Sequence, residues 1–157
     1  MSNHYQLDEE KGRVIFDEFC KQQTWCNVTK FSKNKYTKWD VLYTSGATDN
    51  HVIGEIKRRK NTSNDYDCWF LQKDKYEALL QIQSEASKPI KITYINHFTD
   101  GATAVWDLDN IAMDILKIES IWCQKNDYTF EKEEKDCYLL PLHTAKLYYN
   151  KTKTTEQ

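Results

Sequence analysis

Apolar positions recur at helical spacing from about Leu7 to Gln22, where Val14, Ile15 and Phe19 stand among charged residues. That period predicts an amphipathic helix lying on a sheet. From Cys26 to Ser32 the pattern changes to alternation, in Asn27-Val28-Thr29-Lys30-Phe31, and the β-branched and aromatic residues favour a strand. After a lysine-rich turn, Trp39 to Thr44 predicts a second strand, closed by Ser45-Gly46-Ala47-Thr48-Asp49-Asn50, which has the chemistry of a hairpin loop. His51 to Lys57 predicts a third strand. Its period of two sends Val52, Gly54 and Ile56 to one face and Ile53, Glu55 and Lys57 to the other.

A polar linker, Asn61 to Asp67, leads to Trp69-Phe70-Leu71 and a helix from about Lys73 to Ala86, striped by Tyr76, Leu79, Leu80 and Gln83 and ended by Pro89. Ile90 to Phe98 and Ala102 to Leu108 predict two more strands, joined at Thr99-Asp100-Gly101, the clearest hairpin signal in the chain. Beyond Asp109 the spacing predicts a short helix over Ile111 to Ser120 and a charged, exposed connection over Asp127 to Asp136. A buried segment, Cys137 to Leu142, and a frayed polar tail from Asn150 to Gln157 follow. No internal repeat is present. The expected class is α/β in the broad α+β sense: helix, three strands, helix, strand, in a mixed sheet flanked by helices. One domain is expected, with its core over about 7–108, a C-terminal extension over 109–149 and a disordered tail over 150–157.

Length and composition fit that picture. The chain has 157 residues, 39% hydrophobic and 29% charged, with two prolines and four glycines. That is enough to enclose one core without metals or disulfides. No apolar run approaches membrane-spanning length and the first ten residues do not resemble a signal peptide, so a cytoplasmic protein with no membrane partner is expected. The five cysteines, Cys20, Cys26, Cys68, Cys123 and Cys137, show no metal-binding spacing and are expected to be reduced packing residues. A formal net charge of -2 gives no global attraction to a polyanion. Binding to nucleic acid must then rest on local clusters. There are two, Lys30, Lys33, Lys35 and Lys38, and Lys57 to Lys60, one on each side of an acidic pair.

That pair carries the chemistry. Neighbouring antiparallel strands would bring Asp40 of the second strand close to Glu55 of the third. Two converging carboxylates repel each other, and a hard divalent cation such as Mg²⁺ relieves the repulsion. Lys57 shares the face of Glu55, where an ammonium can orient an attacking water and offset charge developing on a phosphate. The candidate catalytic residues are therefore Asp40, Glu55 and Lys57. Lys35, Lys38, Arg58, Arg59, Lys60 and Trp69 are candidates for nucleic-acid contact, Trp69 by stacking on a base. The histidines show no metal-spaced pair and are left out of the site.

Asp40 followed after a hairpin by Gly54-Glu55-Ile56-Lys57 resembles the D…(D/E)-x-K signature of the PD-(D/E)XK, or restriction-endonuclease-like, nuclease superfamily. The resemblance covers roughly Lys11 to Phe98, with Trp39 where the signature has proline. It implies a core of helix, three strands, helix and strand, and phosphodiester hydrolysis with Mg²⁺, for which Mn²⁺ can substitute. It further implies metal ligation by Asp40, Glu55 and the backbone carbonyl of Ile56, and an acid on the first helix, for which Glu18 is the candidate beside Glu10 and Asp17. Gln72-Lys73-Asp74-Lys75-Tyr76 is similar to the Q-x-x-x-Y motif of some branches, which makes Gln72 and Tyr76 secondary candidates, with Lys75 as an alternative phosphate contact. DNA is the expected substrate, and the small size leaves room for a homodimer where two strands are cut. An RNA-directed nuclease, or a non-catalytic nucleic-acid-binding or assembly protein on the same fold, remains the alternative.

Overall fold

Why the acidic hairpin sits where it does follows from the order of strands, seen in a computed structural model that describes residues 4–33, 37–46, 50–124 and 130–149. Helix α1 (His4–Gln22) precedes strands β1 (Cys26–Phe31), β2 (Val41–Ser45) and β3 (Asn50–Arg58). Next come β4 (Cys68–Gln72), helix α2 (Lys73–Glu85), β5 (Lys91–His97) and β6 (Ala102–Asp107). β7 (Ile118–Gln124), β8 (Lys132–Pro141) and β9 (Lys146–Tyr149) complete the chain.

Six strands form a mixed sheet in the order β1-β2-β3-β5-β6-β9, and three form a second sheet in the order β4-β8-β7. β3 and β5 are parallel, joined through β4 and α2, and every other pairing is antiparallel. The fold is thus mixed α+β, as expected at that level. The β5–β6 turn carries Gly101 at φ 82°, the left-handed conformation that an Asp-Gly turn supplies.

Alternation divides the large sheet into two unlike faces. On one, Phe16, Phe19 and Cys20 of α1 pack against Val41, Tyr43, Val52 and Ile95. On the other, Ile53, Ile92, Tyr94 and Trp106 pack against Leu79 of α2 and against Trp69, Leu71 and Leu140 of the small sheet. Gly54 points to the α1 face, where a Cβ would lie 2.9 Å from Ile95 Cδ1 and 3.1 Å from Thr93 Oγ1. Glycine is required there by close packing.

Several expectations are corrected. α1 buries Gly12, Phe16, Phe19 and Cys20, while Val14 is 58% exposed, so the inner stripe is rotated from the one marked by Val14 and Ile15. Ile111 to Ser120 is not a helix: single 3-10 turns at Leu108–Asn110 and Met113–Ile115 lead directly into β7. The charged run 132–136 is strand rather than connection, because β7 runs antiparallel beside it and supplies its ladder partners. Residues 125–129 and the tail 150–157 lie outside the described residues. Cys20 and Cys26 are joined by a disulfide instead of standing reduced. The turn between α1 and β1 leaves their Cα atoms 5.0 Å apart, within disulfide reach. Cys68, Cys123 and Cys137 are free thiols. Among the described residues no helix is long and apolar enough to cross a membrane.

Candidate active site

Asp40 lies one residue before β2 and is fixed by its backbone on both sides. Its N–H donates to the Gly54 carbonyl and its own carbonyl accepts from the Ser32 N–H, each at 2.9 Å. The β2–β3 register ends with Val41 opposite Gly54, and the bond from the Asp40 N–H to the Gly54 carbonyl holds Asp40 beside the Gly54–Glu55 step. The Asp40 and Glu55 carboxyls are hydrogen-bonding neighbours, and their side chains are only 17% and 15% exposed.

Burial pushes the Asp40 carboxyl above its usual range. Against that act the Ile56 N–H, which donates to Asp40 Oδ2 at 2.7 Å, then the charges of Lys75 and Arg13 and the bond with Glu55. Arg13 of α1 reaches the site with Nη2 3.8 Å from Asp40 Oδ1 and Nη1 donating to the Ser32 carbonyl at 2.6 Å. Lys75, in the first turn of α2, places Nζ 3.5 Å from Glu55 Oε1. Lys57 follows Glu55 by two residues on the same face and is exposed at the end of β3. These groups gather at the carboxyl ends of the parallel strands β3 and β5, the edge of an α/β sheet where ligands commonly bind.

The donor set suits a hard cation that keeps several waters. Among the described residues no three His, Cys, Asp or Glu side chains converge, so the side-chain donors are the two carboxylates. The Gly54 carbonyl points to Asp40, and carbonyl direction repeats every second residue along a strand. The Ile56 carbonyl therefore turns toward the same edge, beside the carboxylates. Two carboxylates, one carbonyl and water match the way Mg²⁺ is usually held.

A second polar layer lies along β5. Tyr94 pairs with Glu55 and Asn96 with Lys57. Arg59, just past β3, donates through Nε to Asn96 Oδ1 and through Nη2 to the Tyr94 hydroxyl at 3.0 Å and the Phe70 carbonyl at 2.9 Å. Its guanidinium stands over the Trp69 ring at 5.4 Å. Tyr94 in turn donates to the Phe70 carbonyl at 3.0 Å, and burial raises its phenol.

Of the residues singled out in the sequence, Asp40, Glu55, Lys57, Lys75 and Arg59 thus come to one face. Ile56 offers only backbone there, since its side chain packs toward the α1 face. Gln72, the N-cap of α2, is half-buried with Oε1 unpartnered. Tyr76 instead meets Tyr138 edge-on at 5.5 Å. Glu18 is exposed on α1, outside the helix stripe that faces the sheet, and Asp17 is paired with Lys21 at 3.0 Å. Trp69 is corrected as a stacking platform: it is 3% exposed, enclosed by Phe98 at 4.7 Å and Tyr66 at 5.4 Å. Arg58, Lys60 and Lys38 are exposed, and Lys35 lies outside the described residues.

Arg13, Tyr94 and Asn96 were not anticipated. Arg13 leaves no local signal, since its partners lie 19 and 27 residues away. Asn96 leaves a faint one, an amide within a strand rich in apolar residues, shared with the equally buried Thr93 and His97. Comparison with protein-family models, curated proteins and solved structures finds no match to this chain.

Proposed function

We propose that this protein is a Mg²⁺-dependent nuclease with a restriction-endonuclease-like core, hydrolysing phosphodiester bonds of DNA. The observation that carries the reading is the meeting of the Asp40 carboxyl, just before β2, with that of Glu55 on β3, with Lys57 two residues on along the same strand face. The order α1, β1, β2, β3, α2, β5 supports it, with β4 as an insertion that joins the second sheet.

In this account Asp40, Glu55 and the Ile56 carbonyl would hold the cation. When bound, Mg²⁺ supplies Lewis-acid stabilisation of the charge that develops on the phosphate. Lys57 orients the attacking water and balances part of that charge through its ammonium. Arg13 offsets the charge of Asp40 and keeps its carboxylate turned to the cleft. Lys75, paired with Glu55 in the free protein, is within reach of a phosphate once the cation takes up the charge of Glu55. Arg58, Lys60 and Lys38 extend the positive rim along which a backbone lies.

One observation favours a second reading, a non-catalytic binding protein: both carboxylates already have internal cations, Arg13 and Lys75, as a structural ion-pair network would. Wild type and Lys57→Ala incubated with supercoiled plasmid, linear duplex, single-stranded DNA and RNA, each with Mg²⁺, Mn²⁺ or chelator, separate the two. Metal-dependent cleavage that falls at least about a hundredfold in the variant is expected. Cleavage unaffected by Lys57→Ala overturns the mechanism, cleavage of RNA alone overturns the substrate, and binding without any cleavage selects the second reading.

A further inference from the structure

Arg59 is held in a way that a solvated surface arginine is not. Three of its hydrogen bonds are fixed by Asn96, Tyr94 and the Phe70 carbonyl, and its guanidinium plane is backed by Trp69. Every one of these supports is neutral. Among the described residues no carboxylate forms an ion pair with the guanidinium; Glu55, whose charge reaches the Tyr94 phenol, is the near acid and is itself paired with Lys75. A half-buried positive charge held in one orientation without a contact ion pair costs free energy that an anion in contact would offset. Its supports are themselves deeply set: Asn96 is 0% exposed, with Nδ2 unpartnered, and Tyr94 is 4% exposed.

The position is as informative as the rigidity. Glu55 of β3 pairs with Tyr94 of β5, Asp40 adjoins Glu55 from the β2 side, and Arg59 Nη2 meets the Tyr94 hydroxyl at the far end of this group. Two strand spacings, about 10 Å, separate the ends. The three supports take Nε–H and both Nη2–H, which leaves the two Nη1–H donors, held in a fixed plane, to offer to a phosphate oxygen.

We infer that Arg59 is a preorganised phosphate clamp, aimed by Asn96 and Tyr94, which takes a phosphate next to the one at Asp40 and Glu55. The identity of the ligand rests on the nuclease reading, while the anion site itself does not. The phosphate belongs either to the continuous backbone or to a strand end.

The test is run in chelator, so that neither cleavage nor metal binding enters. Binding of a DNA oligonucleotide, with and without a 5′-phosphate, is measured against salt concentration for wild type, Arg59→Gln and Asn96→Asp. Each phosphate contact contributes about 0.9 to the slope of log K against log salt on duplex and about 0.7 on single strands. Arg59→Gln is expected to lose one such increment. Asn96→Asp keeps the arginine and its hydrogen bond while supplying the missing counter-charge, and it is expected to lose the same increment. It also carries the test if Arg59→Gln fails to fold. In parallel, inorganic phosphate at constant ionic strength is expected to raise the Tm of wild type and of Asp40→Asn, and not that of either clamp variant. Loss confined to 5′-phosphorylated DNA assigns the clamp to a strand end, and equal loss on both assigns it to the backbone. A wild-type slope in Asn96→Asp, or an equal phosphate-induced rise in Tm in all variants, overturns the clamp.

Discussion

The two faces of the large sheet are built from the same strands and differ in what burial is used for. Toward α1, β3 presents Val52, Gly54 and Ile56, which meet aromatic and aliphatic side chains, and even the titratable group there, His97, is kept neutral. Toward α2, the alternate residues Glu55 and Lys57 stand beside Asp40, Tyr94 and Asn96, so charge and amide groups occupy ground that could have held hydrocarbon. Period-two alternation lets one strand do both, because neighbouring residues face opposite ways. Both faces gain stability from apolar packing, and only the α2 face also carries a charged cluster at its edge.

Substitutions on the α1 face should therefore change stability alone. Phe16, 1% exposed between Phe19 and Tyr43, is its centre, and Phe16→Ala is expected to lower unfolding free energy by about 3–5 kcal/mol in denaturant titrations, with activity per folded molecule retained. His97, packed beside Phe16 and Phe19 and bonded to Thr103 Oγ1, has its pKa pushed by burial from 6.5 down to about 4. The unfolded chain then takes up the proton first. Stability from this group is fully present above pH 6.5 and is lost as pH falls toward 4, by about 3 kcal/mol in all. Urea midpoints measured across that window should fall, and the fall should be absent in His97→Gln. Gly54→Ala inserts a methyl group against Ile95 and Thr93 and should cost about 1–3 kcal/mol, read in the same titration.

The α2 face should respond with the opposite sign. Burial holds the Asp40 carboxyl above its ordinary range, so the native state favours the protonated form. The unfolded chain ionises first, so the contribution of Asp40 to stability is present below pH 3.8 and is lost as pH rises through the folded pKa. Asp40→Asn retains an oxygen for the Ile56 N–H and removes the buried charge, and at neutral pH without metal it should stabilise the protein by about 1 kcal/mol while abolishing cleavage. A loss of stability in that variant would place Asp40 with the structural groups and remove the contrast between the faces.

The acidic hairpin was legible in the sequence because each strand there is half-buried, and half-burial writes alternation into the chain. α2 was legible from its helical stripe, and β5 and β6, buried on both faces, from their apolar and β-branched runs around an Asp-Gly turn. The outer part of β8, Lys132 to Asp136, was not legible: 133, 134 and 136 are exposed and charged, and the segment is a strand only because β7 runs beside it. β9 escaped for a related reason, as an edge strand of four residues defined by its pairing with β6. Within the site, local spacing revealed Asp40, Glu55 and Lys57, whereas Arg13 and the Arg59–Asn96–Tyr94 network depend on contacts between distant segments. The disulfide was hidden similarly, since Cys20 and Cys26 meet only because the chain doubles back after α1.

The central claim is that the Asp40–Glu55 pair exists to hold a divalent cation. Mn²⁺ binding followed by electron paramagnetic resonance tests it on wild type, Asp40→Asn and Glu55→Gln, with circular dichroism to confirm that each is folded. Saturable binding to wild type that weakens at least about tenfold in both variants is the predicted result. Equal binding in all three proteins, or no saturable binding to wild type, would contradict the account.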